Sequence, residues 1–99
     1  MIAEISVSDL QEKLRHGEDI FLLDVREPHE YAAFNIKGHL IPLNELLQRL
    51  NEIPKNKPIV VICRSGKRSD IAGQMLNAHG FNDVKNLAGG LLAWQEANA

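Results

Sequence analysis

The sequence predicts an α/β fold in which a small parallel sheet carries helices on both faces. Two apolar runs, residues 19–25 and Ile59–Ile62, are continuous rather than alternating, which is typical of strands that are buried on both faces. Segments with helical spacing lie between such runs along the chain. Because strand and helix alternate, the sheet is expected to be parallel, with ligands binding beyond the carboxyl ends of its strands.

The remaining elements are predicted from capping residues and apolar spacing. The expected helices are one from Ser6 or Ser8 to about Gly17, a short one from Pro28 to Ala33, one over residues 45–50 capped by Asn44, one over residues 69–78 with Gly80 as its C-cap, and a last one over residues 91–97. Short strands are expected at residues 39–43 and 84–87. Apolar residues 46, 47, 50 and 53 have helical spacing, so they are expected to pack together.

Length and charge narrow the functional classes. The chain has 99 residues, of which 44% are hydrophobic and 24% charged, so residues 1–99 are expected to form one domain with its own core. A formal net charge of -2 gives no reason to expect binding to nucleic acid or to an anionic membrane. No apolar run approaches the roughly 18 residues of a membrane span, and residues 1–10 lack signal-peptide features. We therefore expect a cytoplasmic location.

Metal and disulfide chemistry find little support in the sequence. Cys63 is the only cysteine, so no internal disulfide can form. No metal ligand set and no cofactor are predicted, because the histidines have no ligand spacing. These histidines are His16, His29, His39 and His79. His39 could be mistaken for a base that pairs with the cysteine, but a peripheral position is favoured.

The segment around Cys63 has the features of an anion-binding loop. Cys63 follows the predicted strand Ile59–Ile62 directly, and three cations lie within the next five residues. These loop residues are Arg64, Ser65, Gly66, Lys67 and Arg68. A loop that enters a helix directs several backbone N–H groups to one place, and Gly66 allows the positive φ that a tight turn needs. A lone cysteine is more often inert and buried, but these neighbours favour a nucleophilic thiolate.

Three segments resemble the rhodanese family. CRSGKRS, residues 63–69, is similar to its C-x-x-G-x-R loop with a following Ser; residues 23–31, LDVREPHEY, resemble its D-V-R-x-x-x-E-[FY] element. Residues 86–94, NLAGGLLAW, resemble its closing L-x-G-G-x-x-x-W element. The three elements occur in the family's order and extend over most of the chain. The chain is identified on this basis as a single rhodanese-type domain.

The resemblance implies a persulfide cycle on Cys63. The thiolate would take sulfane sulfur from a donor such as thiosulfate and pass it to an acceptor such as cyanide or a thiol. Arg64, Ser65, Gly66, Lys67 and Arg68 would bind substrate or the persulfide, although Arg64 and Lys67 could also be solvated cations, and Arg68 is expected to brace the loop. Asp24, Arg26 and Ser69 would support the site, with an ion pair between Asp24 and Arg26.

Alternatives remain open from sequence. The domain could be a protein-interaction or sulfur-carrier module that exchanges sulfur with cysteines of partner proteins, and it could be free-standing or part of a longer protein. A cysteine phosphatase is a third possibility, but such enzymes have a C-x5-R loop and this chain has C-x4-R. Residues 34–39 depart from the family's common G-H-I-x-G-A, which affects the expected choice of partner more than the chemistry.

Overall fold

The computed structural model describes residues 1–99 as a five-stranded sheet in which every neighbouring pair of strands is parallel. The strands are β1 Glu4–Ile5, β2 Phe21–Asp24, β3 His39–Leu40, β4 Ile59–Ile62 and β5 Val84–Leu87, in the spatial order β1-β5-β4-β2-β3. The helices are α1 Val7–Arg15, α2 Pro28–Ala33, α3 Lys67–Ala78 and α4 Gly90–Ala97. Two turns of 3₁₀ helix occupy Leu43–Gln48 and Leu50–Glu52. The predicted fold class is confirmed.

The sheet separates two apolar clusters. On one face, Val61 and Cys63 pack with side chains of α3 and of the 3₁₀ segment. On the other face, Val60 and Ile62 pack with side chains of α1 and α4. Successive residues of a strand point to opposite faces, so a strand that is apolar at every position serves both clusters. None of the helices has the length and apolar character that a membrane crossing requires.

The neighbouring strands β4 and β5 are followed by helices on opposite faces of the sheet. Helix α3 follows β4 and packs with the first cluster, whereas α4 follows β5 and packs with the second. Strands β4 and β5 are neighbours in the sheet. When the connections that leave two adjacent parallel strands go to opposite faces of the sheet, a crevice forms between them at the carboxyl ends of the strands. Cys63 stands at this position.

Three predicted helix boundaries, the starts of α1 and α2 and the end of α3, are confirmed by their capping residues. Ser6, not Ser8, caps α1, because its side chain accepts a hydrogen bond from the backbone N–H of Asp9 at 3.0 Å. Pro28 begins α2, where Glu27 and Glu30 form a reciprocal capping box. Gly80 follows the end of α3 with a φ of 88°, the left-handed conformation that glycine adopts without strain.

The predicted helix capped by Asn44 is wrong. The chain there forms 3₁₀ turns, in which the N–H of Glu45 donates to the carbonyl of Pro42 at 2.8 Å. Tighter winding buries Leu46 completely and leaves Leu47 with 53% of its surface exposed. The apolar spacing was read with an α-helical period, and the shorter period of a 3₁₀ helix turns Leu47 away from the core.

Three other elements differ from expectation. Strand β3 ends at Leu40 rather than at Leu43, and the chain enters the 3₁₀ segment at Leu43 instead. Helix α3 begins at Lys67 rather than at Ser69, because Gly66, with a φ of 104°, turns the chain directly into the helix. Strand β1 was not predicted at all. It has only two residues, too few for a recognisable pattern, and it exists through parallel pairing of Glu4 and Ile5 with β5.

Asp24 and Arg26 form the predicted ion pair at the end of β2. Their side chains are nearly inaccessible to solvent, and Nη2 of Arg26 lies 2.8 Å from Oδ2 of Asp24. Arg26 also donates to the backbone carbonyls of Glu30 at 3.2 Å and Phe34 at 2.8 Å. The pair therefore ties α2 and the segment after it to the carboxyl edge of the sheet.

Asp24→Ala should destabilise the fold by about 3–5 kcal/mol, because it leaves the buried charge of Arg26 without a counter-ion. Urea unfolding gives the free energy directly. Asp19→Ala is the matched control, since it removes a carboxylate that is 81% exposed and paired only with Lys57. The control should cost less than about 1 kcal/mol. Equal losses of unfolding free energy in the two variants would show that the buried Asp24 pair contributes no more to stability than the exposed Asp19 pair.

Candidate active site

Cys63 lies at the bottom of a loop that leaves β4 and turns into α3. Its side chain is fully enclosed, with 1% of the residue surface accessible, while Arg64, Ser65 and Lys67 around it are exposed. The turn depends on the positive φ of Gly66, which brings the start of α3 back over the sulfur. The loop thus has a buried thiol at its centre and polar residues at its rim.

Hydrogen-bond donors converge on the sulfur of Cys63. The backbone N–H of Gly66 donates to Sγ at 3.0 Å, and the hydroxyl of Ser69 lies 3.2 Å away. Burial raises the pKa of the Cys63 thiol, but hydrogen bonds from the Ser69 hydroxyl and from the N–H groups of Ser69, Gly66 and Ser65 outweigh it. The net pKa of the thiol is below its ordinary value. The site can therefore stabilise an anionic sulfur.

The first turn of α4 orients the peptide groups of this loop. The N–H of Leu91 donates to the carbonyl of Cys63 at 2.9 Å, and the N–H of Leu92 donates to the carbonyl of Arg64 at 3.1 Å. In a trans peptide the C=O and the N–H point in opposite directions. Because the carbonyl of Arg64 faces α4, the N–H of Ser65, which shares its peptide plane, faces away from α4 and is one of the donors to the sulfur.

Gly90 makes this close contact possible. A Cβ atom at this position would lie 2.6 Å from the carbonyl oxygen of Cys63 and would also clash with that of Arg64. Its φ of 62° is in the left-handed region as well. Gly90 at the start of α4 is therefore part of the loop's architecture. In the sequence it appeared only as part of the segment 86–94 that resembles the family.

Ser69 and Asn86 form a buried network beneath the loop. The Ser69 hydroxyl lies 2.6 Å from Oδ1 of Asn86, and Nδ2 of Asn86 donates to the carbonyl of Gly66 at 2.9 Å. Both side chains are almost fully buried. Sequence reasoning named Ser69 as a supporting residue but gave Asn86 no role. An amide in the interior of an otherwise buried strand was the signal, because such a group requires internal partners.

Arg68 is held by a carboxylate of α2. Its two terminal nitrogens donate to the two oxygens of Glu30 at 2.6 and 2.8 Å, a bidentate ion pair between the first turn of α3 and α2. The hydrogen bond from Arg68 is the main cause that lowers the pKa of Glu30 from 4.5 to about 2. Glu30 is a second residue to which sequence reasoning gave no role. Arg68 interacts with the thiol of Cys63 only through its charge.

The two remaining loop cations are unpaired at the rim. Arg64 and Lys67 are exposed and form no ion pair with a carboxylate of the chain. A pocket of about 340 Å³ lies beside Lys67, and its lining includes Ser65 and Asn86 as well as the acidic residues Glu4 and Asp70. A smaller cavity, of about 120 Å³, lies at the amino ends of β4 and β5, at the opposite edge of the sheet. Polar space is therefore available next to the loop.

His39 is peripheral, as predicted. Its ring is exposed and lies 2.7 Å from a carboxylate oxygen of Glu52, on the far side of β2 from β4. Its ring contacts the carboxylate of Glu52 at the surface and does not contact Cys63. The lowering of the pKa of the Cys63 thiol thus comes from the hydrogen-bond donors of the loop and of Ser69.

The sequence from residue 6 to residue 97 matches the family model of the Rhodanese-like domain. The chain belongs to the rhodanese family. It is 40% identical to a sulfurtransferase of Allochromatium vinosum, over 95% of this chain and 89% of that protein. It is 39% identical to YrkF, a candidate sulfur carrier protein of Bacillus subtilis, over 94% of this chain but only 51% of YrkF. The crystal structure of a rhodanese-related protein from Thermoplasma volcanium has a TM-score of 0.86 and 30% identity, covering 97% of this chain and 93% of that one.

These relatives set the functional class of this rhodanese domain. One is a sulfurtransferase and the other a candidate sulfur carrier, and the chain aligns with both over nearly its whole length. The protein is accordingly a member of a family of sulfurtransferases and sulfur carriers. Because it spans only about half of YrkF, the activity of that whole protein does not transfer to it.

Glu30→Gln should reduce the loss of stability in acid. The folded pKa of Glu30 lies below its ordinary value, so its contribution to stability is complete above about pH 4.5 and is lost as pH falls toward 2. The difference in unfolding free energy between the two proteins should be largest above pH 4.5 and shrink toward pH 2. Urea titrations across this range measure it.

Glu52 provides the internal comparison in that experiment. Hydrogen bonds from Arg49 and His39 lower its pKa to about 2 as well, and both proteins keep this group. Acid destabilisation should therefore persist in Glu30→Gln in reduced form. A difference between the two proteins that stays constant from pH 6 to pH 2 would contradict the assigned role of the Glu30 pair.

Proposed function

We propose that this protein is a sulfurtransferase that carries sulfane sulfur as a persulfide on Cys63. The observation that supports this most is the set of donors around a buried sulfur, led by the Gly66 N–H at 3.0 Å. Such a site stabilises a sulfur anion without a metal or a general base. Because the chemistry requires a reduced thiol, we place the protein in the cytoplasm.

In the first half of the proposed cycle, the Cys63 thiolate attacks the outer sulfur of a donor such as thiosulfate. A bond forms between Sγ and that sulfur, and the bond from that sulfur to the sulfonate group breaks. Sulfite leaves with the electron pair of the broken bond. The terminal sulfur on Cys63 keeps a negative charge, which the N–H groups of the loop stabilise.

In the second half, an acceptor nucleophile takes the terminal sulfur. Cyanide or an acceptor thiolate attacks this sulfur, the S–S bond to Sγ breaks, and its electron pair returns to Sγ. The thiolate of Cys63 is regenerated, and the product is thiocyanate or an acceptor persulfide. The sulfur on Cys63 is an anion at both ends of the cycle, so one set of hydrogen-bond donors serves both steps.

We assign donor binding to the rim of the loop and support to the residues behind it. The exposed cations Arg64 and Lys67 attract anionic donors, and Ser65 and Gly66 contribute backbone N–H groups. Support comes from Arg68 through Glu30, from Ser69 through its hydroxyl, and from the ion pair of Asp24 with Arg26.

The same geometry argues against a phosphatase. A phosphoryl group has three oxygens to be held, and phosphatases use the arginine at the end of the loop for that purpose. Here the guanidinium of Arg68 is engaged by both oxygens of Glu30. The loop is also one residue shorter than C-x5-R, which favours a single terminal sulfur over a tetrahedral group.

A partner protein is the second candidate for the sulfur acceptor. This possibility is supported by the 39% identity to YrkF and by unpaired cations at the rim of a polar pocket. Acidic residues around a partner's cysteine would complement Arg64 and Lys67. Transfer to a persulfide-accepting protein that is much faster than transfer to cyanide would favour this role. The reverse would favour a small-molecule acceptor.

Cys63→Ser should abolish sulfur transfer and leave the fold intact, because a hydroxyl cannot carry sulfane sulfur yet fits the same donors. Thiocyanate formation from thiosulfate and cyanide measures activity, and circular dichroism checks the fold. Residual turnover in a folded variant would rule out the persulfide cycle.

The same pair of proteins separates sulfur from phosphoryl transfer. The unaltered protein should show no Cys63-dependent hydrolysis of an aryl phosphate. Hydrolysis through Cys63 that is faster than sulfur transfer from thiosulfate would overturn the proposed function.

Arg64→Ala and Lys67→Ala should each lower kcat/KM for thiosulfate by about threefold to tenfold, because each removes a positive charge near the path of a dianion. Added salt should reduce the difference from the unaltered protein. Arg15→Ala is the matched control, since it removes an exposed positive charge from α1. Unchanged kinetics in both loop variants would mean that backbone N–H groups alone bind the donor.

A further inference from the structure

Three buried side chains form a chain of hydrogen-bonding groups that ends at the reactive sulfur. Sγ of Cys63 lies 3.2 Å from Oγ of Ser69, which in turn lies 2.6 Å from Oδ1 of Asn86. These three residues have 1%, 0% and 2% of their surfaces accessible, so solvent does not compete for these contacts. The hydroxyl proton of Ser69 therefore has two acceptors within reach, the sulfur of Cys63 and Oδ1 of Asn86.

The carbonyl of Gly66 fixes the orientation of the Asn86 amide. A carbonyl can only accept a hydrogen bond, so the group that faces it at 2.9 Å must be the Nδ2 amino group of Asn86. Oδ1 then faces Ser69. Since Oδ1 carries no hydrogen, the hydroxyl of Ser69 must donate to it for the 2.6 Å contact to be a hydrogen bond.

The Ser69 hydroxyl has one proton and two acceptors. While Cys63 is a thiol, its S–H donates to Oγ and the hydroxyl donates to Asn86, so every group is satisfied. When the sulfur becomes an anion, it can only accept. The hydroxyl must then either turn to the sulfur and leave Oδ1 of Asn86 unpaired, or stay with Asn86 and leave the anion to the backbone N–H groups.

We propose that Asn86 is a positioning residue that competes with the Cys63 sulfur for the single hydroxyl proton of Ser69, and so limits how strongly the site stabilises a sulfur anion. Moderate stabilisation has a chemical purpose. A thiolate whose charge is too well stabilised is a weak nucleophile, and a persulfide that is too stable does not release its sulfur. The proposal concerns the sulfur on which the proposed function rests, but the acidity of a thiol is measured without any sulfur donor.

The charged groups on the loop and on the elements packed around it must be held constant. They are Arg64 in the loop, Lys67, Arg68 and Asp70 on α3, Glu27 and Glu30 at the start of α2 and on it, Asp24 at the end of β2, Arg26 after it, Lys85 on β5 and Glu96 on α4. Substitutions at Ser69 and Asn86 change no formal charge. A comparison among such variants therefore isolates the hydroxyl proton.

The test is a double-mutant cycle on the acidity of Cys63, measured from the pH dependence of alkylation by iodoacetamide. Ser69→Ala should raise the pKa of the thiol by about one unit, a tenfold change in thiolate fraction below the pKa. Asn86→Leu should lower it by about half a unit, because the hydroxyl is then free to serve the sulfur. In the Ser69→Ala background the hydroxyl is absent, so Asn86→Leu should no longer lower the pKa of the thiol.

The cycle also separates the proposal from a disturbed loop. Loss of the Asn86 bond to the carbonyl of Gly66 would shift the acidity equally with and without the Ser69 hydroxyl. An Asn86→Leu effect that is the same in both backgrounds, or that raises the pKa when Ser69 is present, would overturn the proposal. If the acidities follow the expected pattern but no persulfide forms, the proposed function fails and this proposal stands.

A nuclear magnetic resonance titration tests the same point in a protein that keeps Asn86. The side-chain amide signals of Asn86 should shift with the midpoint of the Cys63 titration, because the hydroxyl changes partner as the sulfur ionises. In Ser69→Ala the shift should shrink to the small part that acts through space. Equal shifts in the two proteins would overturn the proposal even if Asn86→Leu did not fold.

Discussion

The contact between the first turn of α4 and the loop after β4 is the constraint on which the site depends. The N–H groups of Leu91 and Leu92 fix the carbonyls of Cys63 and Arg64, at 2.9 and 3.1 Å. The planar peptide unit between Arg64 and Ser65 then directs the Ser65 N–H toward the sulfur. The approach is possible only because Gly90 has no side chain. Helices α3 and α4 lie on opposite faces of the sheet but follow adjacent strands, so both helices begin next to the loop. The sheet topology therefore determines which backbone groups of the loop are held by α4.

The charged residues of the loop form no hydrogen bond with the sulfur of Cys63; Arg68 instead contacts a neighbouring helix. The sequence suggested that backbone N–H groups and three cations together stabilise the thiolate. In the structure, N–H groups and the Ser69 hydroxyl are the donors to the sulfur, while Arg68 is paired with Glu30. A fixed dipole stabilises an anion with no reorganisation when the charge moves, whereas a mobile side chain must be ordered first. Arg68 therefore joins α3 to α2, while Arg64 and Lys67 stay free to meet a donor.

Continuous apolar strands, capping residues and glycines were enough to predict the parallel sheet, α1, α2, β4 and the position of Cys63 at the end of β4. Prediction failed where the structure depends on partners distant in sequence. Strand β1 exists through pairing with β5, and the 3₁₀ turns near Leu46 follow a shorter period than the one assumed. Asn86 lies 23 residues after Cys63 in the chain, and its role appears only when β5 is placed beside β4. Local sequence patterns predict helices and strands. Contacts such as that of Asn86 with Gly66 join residues distant in sequence, so they are known only from the assembled fold.

The central claim is that Cys63 holds sulfane sulfur as a persulfide within this ring of donors. Intact-mass spectrometry of the protein after incubation with thiosulfate and removal of excess reagent tests it most directly. The account predicts the addition of one sulfur atom to the unaltered protein, its removal by a thiol reductant or by cyanide, and no addition to Cys63→Ser. An unchanged mass for a folded protein with a free thiol, after thiosulfate and after a persulfidated partner thiol, would contradict the account.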